Sequence, residues 1–108
     1  MHHRSLPLEM ISVIVCDHLN IEKTKLFGRT KTHMLTKQRA LLASYFIRYS
    51  DTNIVSVAKL FQITHGTLSR QLNRLIENAG AIFSIELLQA IEHALTRLEK
   101  IKKARRHD

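Results

Sequence analysis

Val57-Ala58-Lys59-Leu60-Phe61-Gln62-Ile63-Thr64-His65-Gly66-Thr67-Leu68-Ser69-Arg70-Gln71-Leu72-Asn73-Arg74-Leu75 decides how this chain is read. Its apolar residues fall at Val57, Ala58, Phe61, Ile63, Leu68, Leu72 and Leu75. That spacing suits two helices joined by a tight turn. Helices so joined cross steeply, and the crossing has room for only a small side chain, here Ala58. Phe61 and Ile63 plug the turn, while Leu68, Leu72 and Leu75 seat the second helix on a core at steps of four and three. Thr64 is the expected cap of that helix, which is predicted to run from His65 to about Asn78, with Ala79-Gly80 ending it. Gln62 stands where such turns usually carry glycine. Either a looser turn or an unusual backbone angle at Gln62 is therefore expected.

The apolar positions leave Thr64, His65, Gly66, Thr67, Ser69, Arg70, Asn73 and Arg74 on the outer side of the second helix. These are short hydrogen-bonding side chains with two arginines and no carboxylate. An ordinary amphipathic helix mixes Glu and Lys on its wet face. A surface of this kind suits a DNA major groove, where it meets base edges and phosphates. Gly66 lets the backbone approach a phosphate closely, and the helix N-terminus offers free N–H groups to it. The alternative is a plain helical hairpin with no ligand.

The flanking sequence is helical too. Leu8, Ile11, Ile14, Val15 and Leu19 predict a helix over Leu8–Leu19, with Pro7 just inside its start and Asn20 past its end. Met10, Val13 and Cys16 widen its apolar face, so it is expected to be well buried. Ile21–Phe27 holds one short turn, stopped at Gly28. Arg29 to Leu35 reads as a basic loop. Thr36 is the expected cap of a helix reaching Tyr49, with Ala40, Ala43, Phe46 and Ile47 inward and Leu42 and Tyr45 flanking them. Lys37 and Arg39 then fall in its first turn, where the helix dipole disfavours cations, a placement that makes sense beside an anion. Asn53 caps Ile54–Phe61, and Ser84 caps a last helix from Ile85 to about Lys103. Nothing alternates with a period of two, so no sheet is predicted. The expected fold is all-α: one domain over residues 1–108, a compact bundle of five to six helices containing a helix-turn-helix.

The 108 residues carry 17 Lys+Arg against 9 Asp+Glu, a formal charge of +8. Between Ile21 and Ile76 lie Lys23, Lys25, Arg29, Lys31, Lys37, Arg39, Arg48, Lys59, Arg70 and Arg74, opposed only by Glu22 and Asp51. Like charges on a small domain repel, so this imbalance points to a polyanionic partner. The single cysteine excludes an internal disulfide framework. The longest apolar run, Ile11–Cys16, is too short to span a bilayer. The N-terminus shows no signal-peptide pattern, and a cytoplasmic, nucleoid-associated location is expected.

With these residues in view, the chain resembles the C-terminal DNA-binding domain of the bacterial replication initiator DnaA, a Trp-repressor-like helical fold also appended to REP-associated transposases. The similarity covers most of the chain. Asn20 to Lys31 is similar to the family's first short helix and basic lead-in. Arg39-Ala40-Leu41-Leu42-Ala43-Ser44-Tyr45-Phe46 is similar to its arginine-containing long helix. Thr64-His65-Gly66-Thr67-Leu68 stands where the family has Asp-His-Thr-Thr-Val. The resemblance implies base reading by His65 and Thr67, a minor-groove role for Lys37 and a phosphate contact for Arg39. Thr64, Gly66 and Lys37 depart from the family's Asp, Thr and Arg, and the turn is one residue shorter, so the same target sequence is not implied. Lysine, a point charge, reads a narrow groove less specifically than a guanidinium. No G-x-x-x-x-G-K-[ST] motif is present, so the resemblance implies a free-standing relative or a fragment, without an ATPase domain.

The expected DNA contacts are therefore Thr64, His65, Gly66, Thr67, Ser69, Arg70 and Asn73 on bases, with Arg29, Lys31, Lys37, Arg39 and Arg74 on the backbone or minor groove. Seven histidines raise a metal site. Cys16 and His18 point apart on a helix, His2 and His3 lie in the terminus, and His33, His65, His93 and His107 share no ligand spacing. No metal, cofactor or small-molecule substrate is expected. Cys16 reads as a buried small hydrophobe, and no catalytic triad or carboxylate pair is visible, so no enzyme is expected. On the last helix, Leu88, Ile91, Leu95 and Leu98 pack on the domain's own core or form a homodimer seam, with Glu92 and Glu99 on the wet face. The rival reading is a protein-interaction adaptor docking an acidic partner. RNA binding ranks lower, because no sheet displays stacking aromatics.

Overall fold

The computed structural model describes residues 6–106, with side chains to Ala104; the expectations about His2, His3 and His107 fall outside the described residues. Six helices follow in order: α1 (Leu8–Leu19), α2 (Lys23–Leu26), α3 (His33–Tyr49), α4 (Ile54–Leu60), α5 (His65–Ile82) and α6 (Ile85–Arg106). No strand occurs among the described residues. α3 is the central element. It packs against α1, α2, α4 and α5, while α6 lies along α1.

The local chemistry accounts for most boundaries. Asn20 takes the left-handed conformation (φ 54°) and closes α1 with its backbone N–H on Asp17 and Cys16. Asn53, Thr64 and Ser84 each accept a backbone N–H at the start of α4, α5 and α6, as their side chains predict. Gly28 ends the α2 turn because a Cβ there would lie 2.9 Å from the Thr24 carbonyl oxygen.

Three boundaries differ from the sequence reading. α3 begins at His33, capped by Thr32, whose hydroxyl accepts the Leu35 N–H. Thr32 and Thr36 are equivalent as residue types, and the tertiary contacts select the earlier one. Lys37 and Arg39 therefore sit in the second turn, and the argument from a first-turn dipole penalty falls away. α5 continues to Ile82 through Ala79 and Gly80. The burial of Phe83 outweighs the modest helix penalty of one glycine. α6 runs on to Arg106 rather than ending near Lys103.

The core is built from Ile11 and Val15 of α1, Leu26, the α3 residues Ala40, Leu42, Ala43, Tyr45 and Phe46, Val57 and Ala58, Leu68 and Leu75, and Ile91 and Leu95. Two expectations are corrected here. Leu42 and Tyr45 are core residues rather than flanks, because α3 is covered on several sides and Ile47 is the less buried. Met10 and Val13 are exposed, because α1 is covered only by α3, α2 and α6 and its remaining side faces solvent. Cys16 is buried, and burial pushes its thiol pKa up against the pull of Lys23.

Ile91 and Leu95 of α6 are fully buried in the domain's own core, and Leu88 and Leu98 pack partly against it. Glu92 is not simply solvated. It pairs with Arg48 at 2.9 Å, and the Arg48 guanidinium lies over the Tyr45 and Tyr49 rings. This ties α6 to the end of α3.

The junction of α4 and α5 is a four-residue connection. Ala58 is buried where the two helices meet. Phe61 stacks on Phe27 at 5.3 Å and 5°, and also faces Phe46. Gln62 has φ 58°, the unusual backbone angle that its place in the turn implies. A left-handed conformation costs a non-glycine residue about 1–2 kcal/mol. Gln62→Gly is therefore expected to raise stability by about 1 kcal/mol in urea denaturation, whereas Asn20→Gly should change little, because asparagine tolerates that region.

Candidate nucleic-acid interface

α5 presents the residues singled out in the sequence along its exposed side. Thr64, His65, Arg70, Asn73 and Arg74 are exposed, and Gly66, Thr67 and Ser69 are partly buried. The start of the helix is internally organised. The Thr64 hydroxyl accepts the Thr67 N–H at 3.1 Å and donates to the Thr67 hydroxyl at 2.9 Å, and Arg70 donates to that same hydroxyl at 3.4 Å. Thr67 thus orients Arg70 one turn away. A Cβ added at Gly66 would meet nothing within 4 Å, so the fold itself does not require glycine there. The polar face ends at Ile76, which is 78 % exposed, and at Glu77.

Two clefts run between α5 and the chain packed beside it. The first, about 380 Å³, brings Arg29 and Lys31 of the loop before α3 to Thr67 and to the turn at Gln62. The second, about 420 Å³, brings His33 and Lys37 of α3 to Arg74. Neither is lined by a carboxylate. The expected backbone-contacting cations Arg29, Lys31, Lys37 and Arg74 thereby line the two clefts along α5. His65, Ser69, Arg70 and Asn73 lie outside both clefts.

Arg39 is engaged within the fold. Its Nε donates to the Leu26 carbonyl at 2.6 Å, and one terminal nitrogen donates to Gly28 at 2.8 Å and Lys25 at 3.3 Å. Those carbonyls lie at and just past the end of α2, where helical partners run out, and a guanidinium fork satisfies several at once. Burial lowers its pKa, yet arginine stays charged. Arg39 is thus a clamp on α2, with its Nε and one terminal nitrogen engaged there. Arg39→Ala is expected to lower stability by about 1.5–3 kcal/mol in chemical denaturation, the range for hydrogen bonds to a charged group. Arg39→Lys should recover little, because an ammonium lacks the fork. A variant of unchanged stability would refute the clamp.

The sequence reading missed Thr36 and Gln71, which line both clefts, and His33. Gln71 follows Thr67 by four residues and precedes Arg74 by three, so helical spacing alone places it beside them. Thr36 was read as a cap, which concealed its position inside α3.

Among the described residues, no three His, Cys, Asp or Glu side chains are placed to hold a metal ion, and no helix is long and apolar enough to cross a membrane. No protein-family model matches the chain, and no curated protein matches it.

Proposed function

We propose that this chain binds double-stranded DNA, with α4 and α5 acting as a helix-turn-helix and the exposed side of α5 entering the major groove. The observation that carries this reading is the set of Arg29, Lys31, Lys37, Arg70 and Arg74 along α5, with no carboxylate lining either cleft beside it. Cations beside and on a helix that enters a groove match the phosphates that border it. The helix itself supplies Thr64, His65, Thr67, Ser69, Arg70 and Asn73 for base edges. The bare backbone at Gly66 suits close approach of a phosphate to the helix N-terminus.

In this reading the chain is a DnaA C-terminal-domain-like module that acts in replication, transposition or transcription regulation. Arg39 does not belong to the contact set in this reading. It holds α2, and so positions the loop that carries Arg29 and Lys31.

Selection of bound sequences from a random duplex pool tests the proposal, and a palindromic result would add a dimer on the DNA. Arg70→Ala is expected to weaken binding by about 1–3 kcal/mol and to relax the selected sequence at one position, the signature of a lost base contact. If Arg70→Ala binds and selects as the parent does, the groove assignment is wrong.

A further inference from the structure

The cleft between α3 and α5 has an apolar floor that a phosphate backbone has no use for. Ala40 and Leu75 are 2 % and 5 % exposed and form that floor with Ile82. Over it stand Lys37 and Arg74, one from each wall, with His33 at the α3 end. No carboxylate lines the cleft, and none of the described ion pairs involves these three residues. A volume of about 420 Å³ lies within the range of small-molecule sites, which pair an apolar lining with a few placed polar groups.

We propose that this cleft binds a small amphiphilic carboxylate, with an aromatic or short acyl group on Ala40, Leu75 and Ile82 and the carboxylate held between Lys37 and Arg74. The complementarity is twofold. Apolar surface is removed from water on the floor, and two cations meet one anion at the rim. Lys37 and Arg74 also belong to the DNA surface proposed above. A bound carboxylate would occupy both and cancel one of their two charges, so the ligand acts as a competitor of the duplex; this consequence, unlike ligand binding itself, rests on the DNA reading.

The test uses 1-naphthoate and its uncharged counterpart naphthalene-1-methanol as probes, titrated into the 15N-labelled full chain. The expected result is a set of amide shifts confined to α3 near Lys37 and Ala40 and to α5 near Arg74 and Leu75. Naphthoate should bind at least tenfold more tightly than the alcohol. Lys37→Gln and Arg74→Gln should each remove most of that difference. Ala81 is exposed at the mouth of the cleft, so Ala81→Trp should block both probes while keeping every cation and the dispersed spectrum of a folded chain.

Equal affinity for the two probes overturns the proposal, as do shifts scattered over other basic residues or the absence of shifts at millimolar naphthoate. These readouts need no variant and no DNA. In a separate arm, naphthoate should weaken duplex binding by the parent and leave Ala81→Trp unaffected. A chain that binds naphthoate at this cleft but binds no duplex would refute the DNA reading and leave the ligand site standing.

Discussion

Raising the salt from 50 to 200 mM is expected to weaken binding to random duplex DNA by about 150-fold. The figure follows from the number of cations available for phosphates. Arg29, Lys31, Lys37 and Arg74 line the two clefts along α5 without a carboxylate in either. Each phosphate neutralised releases condensed counterions and contributes about −0.9 to the slope of log affinity against log salt, so four contacts give a slope near −3.6. Lys37→Ala or Arg29→Ala should each reduce the slope by about 0.9, equally for all sequences. Arg39 adds no phosphate contact of its own to this count, because that guanidinium is occupied by the Leu26 and Gly28 carbonyls. Fluorescence anisotropy of a labelled duplex at five or six salt concentrations measures all of this. A flat slope would sink the DNA reading and favour a surface that docks an acidic protein through few charges.

Leu68→Ala is expected to cost about 2–5 kcal/mol, the range for deleting a fully buried leucine whose surroundings relax only partly. Leu68 is completely buried and sits one turn inside α5, where it anchors the half of the helix that carries Thr64 to Arg70. Domains of this size are stable by only about 5–15 kcal/mol. The variant should therefore melt roughly 8–40 °C below the parent, given about 4–8 °C per kcal/mol for a small domain. Duplex affinity should fall with it as the helix start loosens. Ile76 on the same helix supplies the control. It is 78 % exposed, and Ile76→Ala should shift stability by no more than about 0.5 kcal/mol. Thermal melting followed by circular dichroism separates the two. Equal effects at both positions would mean that α5 is seated on a different face from the one described.

The contrast between these two positions shows how far periodicity carries. Leu68 and Leu75 are legible as core because they recur at helical spacing beside Ala58 and Phe61. The α1 residues Met10 and Val13 carry the same kind of signal and are exposed. Hydropathy states that a residue gains by leaving water, not that a neighbour exists to cover it. α6 gives the opposite case. Its stripe is equally compatible with a second chain or with the domain's own core, and Ile91 and Leu95 are taken up internally.

Local chemistry settled within a few residues is what this sequence determines by itself. The all-α class, the caps at Asn53, Thr64 and Ser84, the left-handed Asn20, the strained Gln62 and the polar, carboxylate-free side of α5 all depend on side chains near one another along the chain. Tertiary structure alone decided the start of α3, the continuation of α5 through Gly80, the diversion of Arg39 to the α2 carbonyls and the meeting of Lys37 with Arg74 across a cleft. Each of those is a contact between segments distant along the chain, and a guanidinium has the same sequence signature whether it faces a phosphate or a row of backbone carbonyls.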